Sequence, residues 1–346
     1  MEVRLEEMNL ELKVPFTIAR GSTEVSHNVL CVVESEGVEG YGEAAPSKYY
    51  GEDQESVKKT LEDIIKELPD DLYPVQQIMS ELIFEYPQSR AALCALDVAL
   101  YDLLGKRLNA PLYRIFAVNP ANTPMTSFTI GIAEPDEMVK SALEAAKTYP
   151  ILKIKLGTAK ILGKDYDLEV IERIRKEAEV TLRVDANCAW ELDEAVEKIY
   201  VLSGYDVEFY EQPFSPEKED YFSLLKERSP DALIFADESC VIPQDIPKIA
   251  PFVDGINIKL AKCGGITEAL RMIHTARSHN LLIMLGCMVE SSCLISAAAH
   301  LSPLVDYADL DGNLLCKNDP FIGVTVEDGK LILPDRPGLG LVRADK

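Results

Sequence analysis

The chain is poor in tryptophan and histidine, with one and four among 346 residues. Its eight cysteines form no CxxC pair and sit in apolar contexts such as VLCVV and AALCALDV. This argues against a zinc site or disulfide framework and fits buried, reduced thiols. The histidines make no ligand pattern; His274 and His279 fall in a helical stretch and read as structural or solvated. Long apolar runs are also missing. The longest, LLIMLGCMV at 281–289, is far too short to span a bilayer. The opening residues, MEVRLEEMNLE, lack the basic and apolar regions of a signal peptide, so a cytoplasmic location is expected. Positive charge is scarce: 35 Lys and Arg against 58 Asp and Glu give a formal net charge of −23. That argues against nucleic acid and anionic membranes as partners. No GxGxxG follows any apolar run, which weakens a dinucleotide-binding reading.

What is present is the composition of a globular protein, 47% hydrophobic and 27% charged, long enough for one large domain or two. The first 45 residues read as strands and turns, with NVLCVVES (28–35) and VEGYGEA (38–44) forming a hairpin around Glu36-Gly37. Helical spacing follows in QESVKKTLEDIIKEL and in the more apolar SRAALCALDVALYDLLGKRL (89–108). Residues 1–120 thus read as a small α+β unit. After Pro124 the texture changes. Eight short apolar runs recur about every 25 residues, separated by charged helical stretches: 126–132, 151–157, 181–187, 207–213, 232–239, 255–262, 281–287 and 307–312. Alternating strands and helices imply parallel βα units, and eight of them predict a closed barrel over 121–318, with an open doubly wound sheet as the alternative. The remaining 319–346 is expected to return and pack on the N-terminal unit.

In a barrel, chemistry collects at the C-terminal ends of the strands. Asp185, Glu211 and Asp237 are spaced by 26 and 26 residues, one βα unit each, and so fall on three successive strands at similar height. Three converging carboxylates need a cation, and all-oxygen ligation suits Mg2+ or Mn2+. Lys153 and Lys155 alternate onto one face of the second run. Lys259 ends the sixth, on the opposite side of an eight-stranded ring. Taken alone Lys259 reads equally well as a snorkelling strand-end lysine; its pairing with Lys155 changes the odds. A substrate carboxylate on the metal would place its α-carbon between the two amines. One could take the α-proton and the other return it to the opposite face, while the cation stabilises the enediolate.

The chain resembles the enolase superfamily, in which a lysine or histidine base works with Mg2+. Within its muconate-lactonizing-enzyme subgroup it is similar to the dipeptide epimerases, and specifically to those acting on L-Ala-D/L-Glu. The likeness covers essentially the whole chain and rests on ALDVALYDLLGK, KIKLG, VDAN, EQP, ADES, NIKLAKCGG and LGCMVESS. It implies a modified TIM barrel, (β/α)7β, with an N-terminal α+β capping domain completed by the C-terminal tail. It also implies Asp185, Glu211 and Asp237 as ligands of one Mg2+, for which Mn2+ is a possible substitute. Lys155 and Lys259 become the acid/base pair, Lys153 a group near the substrate carboxylate, and Asn187 and Glu238 supports behind the ligands. Asp309 and Asp311, in ADLDG, would bind the dipeptide ammonium, although DxDG also suits a turn. Arg20 would pair with a glutamate side chain from a loop over the barrel mouth, or be a surface arginine. Ser22, Thr23 and Tyr49 are further candidates for that mouth. The expected reaction is two-lysine epimerisation of the C-terminal residue of a dipeptide in murein peptide recycling, by a homo-oligomer. An o-succinylbenzoate synthase, an N-succinylamino acid racemase, or an epimerase for another dipeptide class is the alternative.

Overall fold

The computed structural model describes residues 1–344; Asp345 and Lys346, the end of the expected tail segment, lie outside the described residues. Two long antiparallel strands open the chain: β1 (Glu2–Ile18) pairs with β2 (Gly21–Ser35) from Glu2↔Glu34 to Ile18↔Gly21. Their turn, at residues 19–20, projects from the sheet. The Ile132 amide donates to the Thr17 carbonyl at 2.7 Å, which ties this hairpin tip to the barrel mouth. The strand β3 (Val38–Ala44) completes the sheet after a two-residue turn at Glu36 (φ 57°) and Gly37 (φ 77°). Left-handed backbone at both positions matches the twist of a tight hairpin.

Helix α1 (Gln54–Ile64) buries Val57, Leu61 and Ile64, and helix α2 (Val75–Glu85) follows. Helix α3 (Arg90–Arg107) is largely apolar and buried on every side from Ala91 to Leu103. Gly40 and Gly42 let β3 approach it: a Cβ on either would lie 2.2 Å from the Ala99 carbonyl or 1.9 Å from that of Ala95.

The eight apolar runs form eight parallel strands in chain order: β4 (Phe128–Ile130), β5 (Ile151–Lys155), β6 (Thr181–Asp185), β7 (Val207–Glu211), β8 (Ile234–Ala236), β9 (Gly255–Lys259), β10 (Leu282–Gly286) and β11 (Tyr307–Asp309). A bridge between Thr126 and Ala308 joins the last strand to the first and closes the barrel. Helices follow the first seven strands, and only a 3-10 turn at Gly312–Leu315 follows β11 among the described residues. The architecture is therefore the (β/α)7β barrel with an N-terminal cap. Phe209, Phe235 and Met284 fill its floor.

Buried carboxylates join cap to barrel. Glu43 of β3 accepts from the Ser291 and Leu294 amides, at the start of the helix Ser292–Leu301. Asp97 of α3 accepts from the Thr267 amide at 3.0 Å, at the start of Ile266–Ser278. Both meet the positive end of a helix dipole. The tail does more than pack on the cap. Leu339 donates to Asp102 of α3 at 2.8 Å, but the hairpin Thr325–Glu327/Lys330–Ile332 reaches the N-terminal rim of the barrel, where the Thr126 amide donates to Gly329.

Candidate active site

Strand register builds the site. Lys155 lies beside Asp185, and Asp185 beside Glu211, on β5, β6 and β7; Lys259 lies beside Gly286, and Gly286 beside Asp309, on β9, β10 and β11. Lys155, Lys259 and Asp309 line one cavity at the barrel mouth. Gly286 leaves room there, since a Cβ would meet the Asn257 amide at 2.5 Å. Just beyond β6 and β7, Asn187, Cys188 and Gln212 adopt φ of 43°, 67° and 38°. Left-handed backbone outside glycine is costly and gathers at functional sites. Here it folds the chain back, so that the Asn187 amide donates to Asp185 Oδ1 at 2.8 Å. The Gln212 side chain splints β7 to the end of β8 by accepting from the Asp237 amide at 2.8 Å.

Asp185, Glu211 and Asp237 are buried, and each offers an oxygen within 4.8 Å of the others. Lys155 Nζ is 2.6 Å from Asp185, and Lys259 Nζ 2.8 Å from Asp237. Lys262 donates to Asp237 Oδ1 at 2.6 Å, and Asn257 to Glu211 Oε1 at 2.8 Å. Asn257 was legible by alternation, two residues before Lys259; Lys262 lies in a short helical turn that no period predicts. Burial and then the charge of Asp185 push Glu211 up to about 7. Burial opposes charge on Asp185 and Asp237 also, but the nearby lysines hold both below the usual carboxylate range. A hard divalent cation fits this donor set: all oxygens, buried, convergent, with mutual repulsion that it would relieve.

Lys153 is wholly buried beneath this layer, bridging Asp309 and Glu211 at 2.7 Å each, with Asp185 at 3.4 Å. Burial disfavours its charge, yet these carboxylates outweigh that and raise it above an ordinary lysine. Its ammonium faces these protein carboxylates. Asp309 also accepts from Ser127 Oγ at 2.6 Å, and despite burial Lys153 holds it down at about 2. Asp311 lies two residues on, past the end of β11 and not on the strand as expected, and accepts from the Thr129 amide at 2.6 Å. Burial and Asp309 raise it to about 6.

A cavity of about 190 Å³ opens above the carboxylates, lined by Lys155 and Lys259, by Asp309 and Asp311, and by Arg20 and Thr23 of the hairpin. Lys155 and Lys259 are four strands apart in the ring and so on opposite sides. Arg20 Nη1 is 2.6 Å from Glu238, with the guanidinium 4.5 Å from the centre of the Tyr49 ring. Ser22 accepts from Thr17 Oγ1 within the hairpin, and His274 and His279 are exposed. Among the described residues no helix is long and apolar enough to cross a membrane.

Residues 1–116 match the mandelate racemase/muconate lactonizing enzyme N-terminal domain, and residues 137–345 the enolase C-terminal domain-like family. The chain belongs to the mandelate racemase/muconate lactonizing enzyme branch of the enolase superfamily. Within it, the chain is 41% identical to an L-Ala-D/L-amino acid epimerase of Maribacter sp., covering 99% of each chain. It is equally 41% identical to an L-Ala-D/L-Glu epimerase of Bacteroides thetaiotaomicron, over 99% of this chain and 88% of that one. A dipeptide epimerase from Enterococcus faecalis, solved with Mg and L-Leu-L-Tyr, superposes with a TM-score of 0.92 at 33% identity, over 98% of both chains.

Proposed function

We propose that the protein is a Mg2+-dependent dipeptide epimerase, an isomerase that inverts the α-carbon of the C-terminal residue, with L-Ala-D/L-Glu as reference substrate. The observation that carries this reading is the pair of lysines, Lys155 and Lys259, lining one cavity from opposite sides above three buried carboxylates. Asp185, Glu211 and Asp237 would hold the ion, which supplies Lewis-acid stabilisation of charge developing on a substrate carboxylate. The chain's own groups do the rest. One amine removes the α-proton and the other delivers a proton to the opposite face. Burial lowers Lys259 and Asp237 raises it more, leaving it above an ordinary lysine, so the grip of Asp237 governs when that amine can act as base. Asp309 and Asp311 offer negative charge to the dipeptide ammonium, with Lys153 fixing Asp309 from below. Asn187 orients Asp185, and Glu238 holds Arg20 near the epimerised side chain.

The same reading extends to a cap of residues 1–120, a barrel of 121–318 and a tail of 319–346, in a cytoplasmic homo-oligomer serving murein peptide recycling, with Mn2+ able to replace Mg2+. Incubating L-Ala-L-Glu with protein and Mg2+ should yield the L-Ala-D-Glu diastereomer by chiral chromatography, and EDTA should stop it. Conversion unaffected by chelation would refute the metal dependence. No conversion of any dipeptide, with turnover of N-succinylamino acids or formation of o-succinylbenzoate, would replace the reading.

A further inference from the structure

Arg20 does not present a free positive charge to the cavity. Its Nη1 lies 2.6 Å from Glu238 Oε1 and 3.3 Å from the Asn187 carbonyl, and Tyr49 covers one face of the guanidinium. The Glu238 side chain is 1% exposed, against 31% for Arg20. Its other oxygen, Oε2, is buried with no hydrogen-bond partner. Glu238 is therefore a desolvated carboxylate whose ion-pair partner is Arg20, and removing either leaves the other charge uncompensated. Arg20 lines the cavity while Glu238 sits behind it.

We infer that Glu238 is a specificity-determining residue: it neutralises Arg20 and so admits uncharged side chains at the epimerised position beside acidic ones. This rests on the epimerase reading. An incoming side-chain carboxylate must share Arg20 with a fixed carboxylate already 2.6 Å away, and two like charges on one cation repel. An uncharged side chain such as that of glutamine or leucine meets a neutral pair and loses nothing. Selectivity is a difference between substrates, and this pair flattens it.

The pair predicts a reciprocal switch, read as ratios of kcat/KM. Ratios cancel any damage to the neighbouring Asp237 that both substrates feel. Wild type should take L-Ala-L-Gln within roughly tenfold of L-Ala-L-Glu. Glu238→Gln frees the guanidinium and should raise the Glu-to-Gln ratio by roughly tenfold or more. Arg20→Met leaves Glu238 unpaired and should raise the ratio of L-Ala-L-Lys to L-Ala-L-Gln by a similar factor. An unchanged ratio in either variant that turns over overturns the inference. Should both variants lose turnover, a wild-type preference for Glu over Gln beyond roughly a hundredfold does so equally. Failure of wild type on all three dipeptides would instead sink the epimerase reading itself.

Discussion

Two sets of buried carboxylates differ in what answers their charge. At the cap–barrel interface, Glu43 accepts from the Ser291 and Leu294 amides, the Ser291 hydroxyl and Asn28; Asp97 accepts from the Thr267 amide and hydroxyl. These donors are neutral, and apart from Asn28 on β2 they sit at helix starts. At the barrel mouth, Asp185, Glu211 and Asp237 face lysine ammoniums and one another. Those partners are themselves charged, and the mutual repulsion of the three carboxylates remains. The first arrangement holds two bodies together; the second is poised to bind a cation and move protons. Burial of an acid alone separates nothing; the chemistry of its partners does.

Exchanging amides for carboxylates at the two places should split the outcomes. Asp185→Asn, Glu211→Gln or Asp237→Asn should each lower kcat by more than roughly a hundredfold in protein that still folds, because each removes one carboxylate charge from the cation site with little change in side-chain size. Glu43→Gln turns an amide donor toward donors. It should cost about 1–3 kcal/mol in denaturant unfolding while folded protein keeps its turnover. Activity lost without destabilisation in Glu43→Gln would erase the distinction between the two sets.

A further effect, of similar size, separates the interface from the mouth by pH. His300 is buried, with Nδ1 accepting from the Tyr113 amide and Nε2 facing the Leu339 carbonyl, and burial lowers it to about 4. Its folded value lies below the ordinary one of about 6.5, so as pH falls the unfolded chain takes up the proton first. Its contribution is present above about 6.5 and is lost as pH falls toward about 4, by about 3 kcal/mol in all. His300→Gln should flatten that part of the stability profile measured by denaturant titration. Parallel profiles for variant and wild type would show that His300 does not titrate differently in the two states.

The sequence carried the frame because burial leaves a periodic trace. Strands covered on both faces read as short apolar runs, and the 26-residue interval put Asp185, Glu211 and Asp237 on neighbouring strands. Alternation put Lys153 and Lys155 on one face, yet said nothing about depth: one is wholly buried among the carboxylates, the other lines the cavity. Depth depends on which strand stands opposite. Partnerships between segments distant in the chain, such as Lys153 with Asp309 or Arg20 with Glu238, join residues 156 and 218 positions apart. No local pattern encodes them. The second attachment of the tail, through Gly329 at the barrel rim, is of the same kind.

The two-lysine inversion is tested most directly by α-proton exchange in D2O, followed by mass spectrometry on separate samples of L-Ala-L-Glu and L-Ala-D-Glu. Wild type should incorporate deuterium from either epimer as it interconverts them. Lys155→Ala and Lys259→Ala should each abolish inversion, and exchange that survives in each should fall on opposite epimers. Substantial inversion by either variant would mean that one base suffices and would contradict the account.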